Sequence, residues 1–113
     1  MKIEIKDPPR KFSVGTQKKL EISDCGKVRL EPGEQVTFVT ASGREYDVAA
    51  KSWGFYATPS VNGRLKQQGF KSALVRNPEG RYYIMLVESE KVQEFQTYLA
   101  SEKAVLEEWL DER

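Results

Sequence analysis

The sequence predicts one α+β domain over residues 1–113: a mostly antiparallel curled sheet or partial barrel with two helices. Three observations predict it. Short runs of alternating apolar and polar residues, punctuated by Pro-Gly, Asp-Cys-Gly and Asn-Pro-Glu-Gly, fill most of the chain before residue 90. The C-terminal stretch then changes period, its apolar residues recurring at helical steps. No internal repeat, low-complexity tract or long linker interrupts either part. At 113 residues the chain is near the commonest domain length and can bury roughly 65% of its unfolded surface without a disulfide or metal.

Taken in order, Ile3 and Ile5 alternate with Lys2, Glu4 and Lys6 as in a half-buried strand, which Pro8-Pro9 is expected to end. Phe12 and Val14 form a short second run before Gly15. Leu20 and Ile22 alternate with charged neighbours until Asp24-Cys25-Gly26 supplies a turn, and Val28 and Leu30 resume the pattern. Pro32-Gly33 suits a type II turn, where the third position needs positive φ. Val36 and Phe38 then take one face of a strand, and Ala41-Ser42-Gly43 turns the chain into residues 44–50. Further on, "KSALVR" (71–76) and "RYYIMLVE" (81–88) flank "NPEG", the composition of a type I hairpin turn. Tyr82, Ile84 and Leu86 alternate with Tyr83, Met85 and Val87. Both faces are apolar, so this strand is expected to be central and covered on both sides.

Two helices complete the reading. A short one is expected over about 59–68, with Thr58 as cap, Pro59 in the first turn and Gly69 past the end. A longer one is expected over about 90–111, capped by Ser89 and packed on the sheet through Val92, Phe95, Leu99, Leu106, Trp109 and Leu110, with a break near Ser101 as an alternative.

Composition excludes several chemistries. There is no histidine and only one cysteine, Cys25. A Ser-His-Asp triad, a Cys-His dyad, a His-ligated metal and a structural zinc site therefore cannot be built. No catalytic residue, metal or cofactor is assigned. No apolar run approaches the ~20 residues of a membrane span, and charges interrupt the N-terminal residues where a signal peptide would be apolar. These features fit a cytoplasmic, bacterial-type protein.

Charge is distributed unevenly. Residues 51–82 carry net +5 and residues 83–113 carry net −5, hidden in a total of +1. From Lys51 to Phe70 there is no acid at all. Within that stretch Thr58 and Ser60 at a helix start, with Arg64 and Lys66 a turn further on, offer donors and positive potential to an anion. Trp53 and Tyr56 lie at its rim as stacking candidates. The competing readings are that the acidic C-terminal part satisfies these cations internally, and that Trp53 and Phe55 are core with Tyr56 exposed. Glu45 and Asp47, two apart on a strand and roughly 6.6 Å from each other, have the spacing of a carboxylate pair for sugar hydrolysis, an arrangement strand surfaces carry routinely.

Two resemblances accompany these residues. "LEPGEQVTF" (30–38) resembles the strand-turn-strand of cupin-type barrels, whose metal chemistry needs histidines that this chain lacks, so the resemblance implies shape alone. "WGFYATPSVNGRL", followed by "LVRN", "MLVE" and "EEWLDE", resembles small bacterial proteins of about this length, over nearly the whole chain from Gly26 on. That resemblance implies a stand-alone protein and brings no activity.

The leading expectation is a small non-enzymatic binding or accessory domain recognising an anionic group through residues 51–82. The partner would be a phosphate-bearing small molecule or an acidic protein surface, with nucleic acid less favoured and no membrane. The alternatives are a protein–protein interaction or structural module using the sheet edge and C-terminal helix, and a metal-independent enzyme using Asp, Glu or Tyr.

Overall fold

The computed structural model describes residues 1–15 and 19–113. Three antiparallel sheets follow one another along the chain. Strands β1 (Lys2–Val14) and β2 (Leu20–Arg29) form a two-stranded ribbon; β3 (Gln35–Val39), β4 (Glu45–Lys51) and β5 (Gly54–Ala57) form a meander. The third sheet has the order β7-β6-β8, from β6 (Phe70–Arg76), β7 (Tyr82–Glu88) and β8 (Val105–Trp109). A four-residue helix α1 (Arg64–Gln67) precedes β6, and α2 (Val92–Ser101), entered through a 3₁₀ turn at Ser89–Lys91, crosses from β7 to β8. The mixed, mostly antiparallel α+β class is as expected. The sheets do not close into a barrel, which corrects the curled or partial-barrel expectation and the cupin-like shape.

The core lies between α2 and the third sheet. Ala73, Val75 and Leu99 are buried, with Met85, Phe95, Ala104, Leu106 and Trp109 packed against them. Phe95 and Trp109 meet at 5.8 Å between ring centroids, within the range of a favourable aromatic pair. The β6–β7 hairpin turns as its sequence predicts: Gly80 takes φ +82°, and the Asn77 side chain accepts the N–H groups of Glu79 and Arg81.

The expected helix over 90–111 is corrected. It ends at Ser101 because Lys103 adopts φ +54°. The Lys103 N–H then bonds Ala100 O and the Ala104 N–H bonds Leu99 O, the pair of closing bonds that ends a helix on a left-handed residue. The alternative of a break near Ser101 therefore holds for the position of the stop, although a strand and not a second helix follows it. The left-handed residue that makes the stop usually is glycine, so the motif itself is not visible in the sequence. The chain returns as β8, whose pairing with β6 shifts between Leu74 and Val75. Because of that bulge Leu106 and Trp109, three apart, both reach the core, and their spacing imitates a helical step. No side chain caps either helical segment, so the assignment of Ser89 as N-cap is also corrected.

The first strand differs too. Pro8-Pro9 does not end it; β1 runs through, and its pairing with β2 shifts between Ile5 and Arg10, where the prolines fall outside the ladder. Asp24-Cys25-Gly26 is likewise not a turn but part of β2. Gly26 sits at φ +154° with Glu4 O 2.1 Å from where a β-carbon would be, so only glycine lets the strands approach there. Neither strand packs extensively on another element. The ribbon meets the remaining chain near its ends, at the Met1–Glu34 ion pair of 3.0 Å and where Val14 and Gly15 face Tyr83 and Tyr98.

Strand β7 is an edge, not the central strand expected; β6 is central. Its outer side is covered only toward Leu86 and Glu88, so Tyr82 and Ile84 stand in solvent. The core reading of the aromatics is also corrected. Trp53 lies in the tight turn between β4 and β5, 72% exposed, and Phe55 and Tyr56 stand on the edge strand β5 with no layer over them.

Replacing Lys103 by glycine removes the cost of a left-handed conformation on a residue with a β-carbon, about 1 kcal/mol. Lys103→Gly is therefore expected to raise the urea unfolding midpoint by an equivalent amount with an unchanged slope.

Candidate functional site

The four predicted anion-binding residues are placed as follows. The helix expected over 59–68 is only Arg64–Gln67, and Gly63, not Thr58, stands at its start. Residues before it form turns in which the Ser60 carbonyl accepts the N–H groups of Gly63 and Leu65. Gly63 breaks the run, and Val61 alone cannot supply the burial that would offset it. Pro59 is buried. The Thr58 hydroxyl donates to Gln35 Oε1 at 3.0 Å. Ser60 is exposed on the turn. Arg64 pairs with Asp47 at 3.3 Å, and Lys66 donates to the backbone oxygen of Asp111 at 3.3 Å. Of the rim candidates, Trp53 and Tyr56 lie in a stacked arrangement 6.1 Å apart, with the Lys51 ammonium 5.7 Å from the Tyr56 ring.

The other cations of 51–82 are also engaged. Arg76 pairs with Glu107 at 2.5 Å, Arg81 with Glu79 at 3.2 Å, and Lys71 with Asp111 at 2.8 Å. Asp111 is 1% exposed. Its second oxygen accepts the Ser72 N–H at 2.9 Å, and the Lys71 ammonium also lies 4.6 Å from the Trp109 ring centroid. Burial by itself pushes the Asp111 carboxyl up, but the hydrogen bonds from Lys71 and Ser72 outweigh it and hold the group below the usual carboxylate range. Lys71 and Arg76 thus meet acids of 83–113, Arg64 and Arg81 meet acids elsewhere, and Lys66 and Lys51 meet a backbone oxygen and a ring.

A second cluster joins the meander to the third sheet. Glu88 is buried at the end of β7 and accepts the hydroxyls of Ser42 and Thr40 and the ammonium of Lys91. The Ser42 hydrogen bond is the chief cause that holds its carboxyl low, against burial. Beside it Arg44 pairs with Glu90 at 3.0 Å and reaches Gln68 O. The carboxylate pair of the sequence is not free for chemistry: Asp47 accepts the Thr37 hydroxyl at 2.6 Å as well as Arg64. Tyr46 between them is pushed up by burial, away from neutrality. None of the three clefts described below is lined by Glu45, Tyr46 or Asp47.

One cleft of ≈ 320 Å³ opens between the ribbon end and the core, walled chiefly by Val75, Tyr83, Met85, Tyr98 and Ala104. A second of ≈ 420 Å³ lies along Lys2, Lys27 and Arg29 with Phe55, and a third of ≈ 360 Å³ beside Glu88 and Phe95. Apolar side chains also stand on open surface. Ladder pairs put Ile3 opposite Val28, Phe12 opposite Ile22 and Val14 opposite Leu20. Counted along β2, Leu20, Ile22 and Val28 share one face, and the register shift in β1 brings both its apolar runs to that face. Ile3 is 60% and Ile5 79% exposed. Sequence reading found this alternation and assumed that something within the chain covered it.

The buried pair yields a test. Asp111→Asn removes the charge that Lys71 faces and is expected to cost roughly 3 kcal/mol near neutral pH. The folded carboxyl is held below its unfolded value near 3.9, so its contribution is complete above that value and lost as the pH falls through the lower folded one. Thermal unfolding from pH 7 to pH 3 should therefore show the gap between wild type and variant narrowing on acidification.

Comparison with protein-family models, with curated proteins and with solved structures returns no match for this chain.

Proposed function

We propose that this protein is a non-enzymatic interaction module whose contact surface is the apolar face of the β1–β2 ribbon. One observation carries the reading: a long two-stranded ribbon presents Ile3, Ile5, Ile22 and Val28 to solvent, and among the described residues no other strand or helix packs extensively against it. An isolated two-stranded ribbon is marginal in water and needs a third strand or a packing surface to persist. Exposed apolar faces of this kind serve as protein contacts. An interaction module, here through the ribbon face and not through the sheet edge and C-terminal helix expected from the sequence, is favoured over anion recognition on electrostatic grounds. An anion approaching 51–82 would have to displace Asp47 from Arg64, Asp111 from Lys71 and Glu107 from Arg76. The enzyme alternative finds support in neither Tyr46 nor Asp47, the one driven away from neutrality and the other held by two partners.

A photoreactive benzophenone side chain placed at position 5, on the apolar face, should give a covalent protein adduct in cells that express the chain. The same group at position 27, opposite Glu4 on the polar face, should give little. Equal yields at both positions, or none at position 5, would refute the reading.

A further inference from the structure

We propose that the polar side of the ribbon, where it meets the meander, binds single-stranded nucleic acid. This is a second surface, opposite the apolar face and independent of it. Between residues 2 and 29 the chain carries eight cations against four acids, a net of +4. Part of that charge is met inside the ribbon: Lys6 and Arg10 hold Asp24, and Lys11 pairs with Glu21 at 3.6 Å. Lys2, Lys27 and Arg29 remain, and among the described residues no ion pair or side-chain hydrogen bond engages them. All three line the cleft of ≈ 420 Å³ that also holds Phe55. The ladder sets Lys2 directly opposite Arg29 and Glu4 opposite Lys27. Like charges facing each other across a ladder pair are destabilising, so the fold carries a repulsion at this point that an anion would relieve. Lys27 lies on the same side as Arg29, roughly 6.6 Å along the strand. Glu4 is the single carboxylate among the lining residues. Three cations therefore share one acid, and a phosphate between Lys2 and Arg29 turns their repulsion into two charge-assisted contacts.

The rings beside these cations select the kind of anion. Phe55 lines the cleft from the edge strand β5 and is 64% exposed. Trp53 and Tyr56 stack on the other side of that strand, with the Lys51 ammonium 5.7 Å from the Tyr56 ring. Open ring faces and a further cation thus continue past the strand edge. Cations that follow phosphates, next to rings on which unstacked bases can lie, are what a single strand of nucleic acid requires. A duplex keeps its bases stacked on one another and offers the cleft its phosphates alone. An acidic protein surface likewise matches the charges and leaves the ring of Phe55 without a planar partner. The acid-free stretch supplies the aromatic half of this site, while its cations Arg64 and Lys66 are engaged elsewhere. The cationic half comes from the ribbon.

The test is fluorescence anisotropy of a labelled twelve-nucleotide oligothymidine titrated with the full chain between 50 and 200 mM salt. Three phosphate contacts on a single strand give a slope of about −2 for log affinity against log salt. Arg29→Gln and Lys27→Gln should each make that slope shallower by about 0.7. Phe55→Ala, at an exposed position, should weaken binding about tenfold with the slope unchanged, as the loss of one stacked base does. Glu4→Gln should tighten binding, and Arg81→Gln, which removes the same charge at the β6–β7 turn, should leave the slope as it is. Thermal unfolding of each variant checks that the fold is kept. No anisotropy change up to 100 μM protein in 50 mM salt overturns the inference. So does a duplex of the same length bound as tightly, or a folded Phe55→Ala variant that binds like wild type, because charge alone would then account for the contact. Polyglutamate bound with the same sensitivity to Phe55→Ala would assign the cleft to an acidic protein and also overturn it.

Discussion

A carboxylate shut off from water is tolerable only when cations and N–H groups surround it, and the third sheet is arranged around such a group. Asp111 lies beyond the end of β8, yet both of its oxygens are bonded to β6, one by the Lys71 ammonium and one by the Ser72 N–H. Those bonds fasten the last turn of the chain to the central strand. Lys71 also lies over Trp109, which in turn packs on Phe95 of α2. One ion pair therefore fixes the strand, the aromatic layer and the helix together, and each depends on the charge of Asp111 being met.

The same requirement explains why a chain so polarised in sequence looks balanced in space. The cations of 51–82 and the acids of 83–113 occupy neighbouring strands, so that Arg76 meets Glu107 across the β6–β8 ladder and Lys71 meets Asp111. The loop between β3 and β4 does comparable work between sheets, with Thr40, Ser42 and Arg44 gripping Glu88 and Glu90. Most of these partly exposed pairs contribute little one by one. Their effect is to fix orientation, and they meet the charges of Arg64, Lys71, Arg76 and Arg81 within the chain.

Apolar surface is distributed the opposite way. The main packed cluster is small and lies beneath α2, with Ala49, Ala50, Leu65, Phe70 and Val87 also buried. The ribbon, the edge strand β5 and the outer face of β7 hold large apolar side chains in water. Alternating strands always prepare one face for burial; here three sheets each prepare one, and the single long helix covers only the third. The ribbon is the extreme case, because among the described residues it has neither an extensive covering layer nor a third strand.

Much of this could be read from residue order alone. Alternation located most strands, Asn77 and Gly80 defined the β6–β7 turn, Gly33 takes positive φ after Pro32, and Phe95, Leu99, Leu106 and Trp109 were correctly grouped as core. Local signals suffice for such features because a turn or a period is set by adjacent side chains. A break near Ser101 was legible as an alternative, but the strand after it was not; nor were the passage of β1 through Pro8-Pro9 and the bulge that lets Leu106 and Trp109 share a face, since each is imposed by distant pairing that overrides a local preference. The site was legible only as composition. An acid-free basic stretch was visible in the sequence, but whether Arg64 met a ligand or Asp47, and whether Ile5 met the core or water, depended on which surfaces three-dimensional packing brought together. Sequence fixes which side of a strand is apolar; only the tertiary structure decides whether anything lies against it, because burial is a property of the neighbours a strand is given.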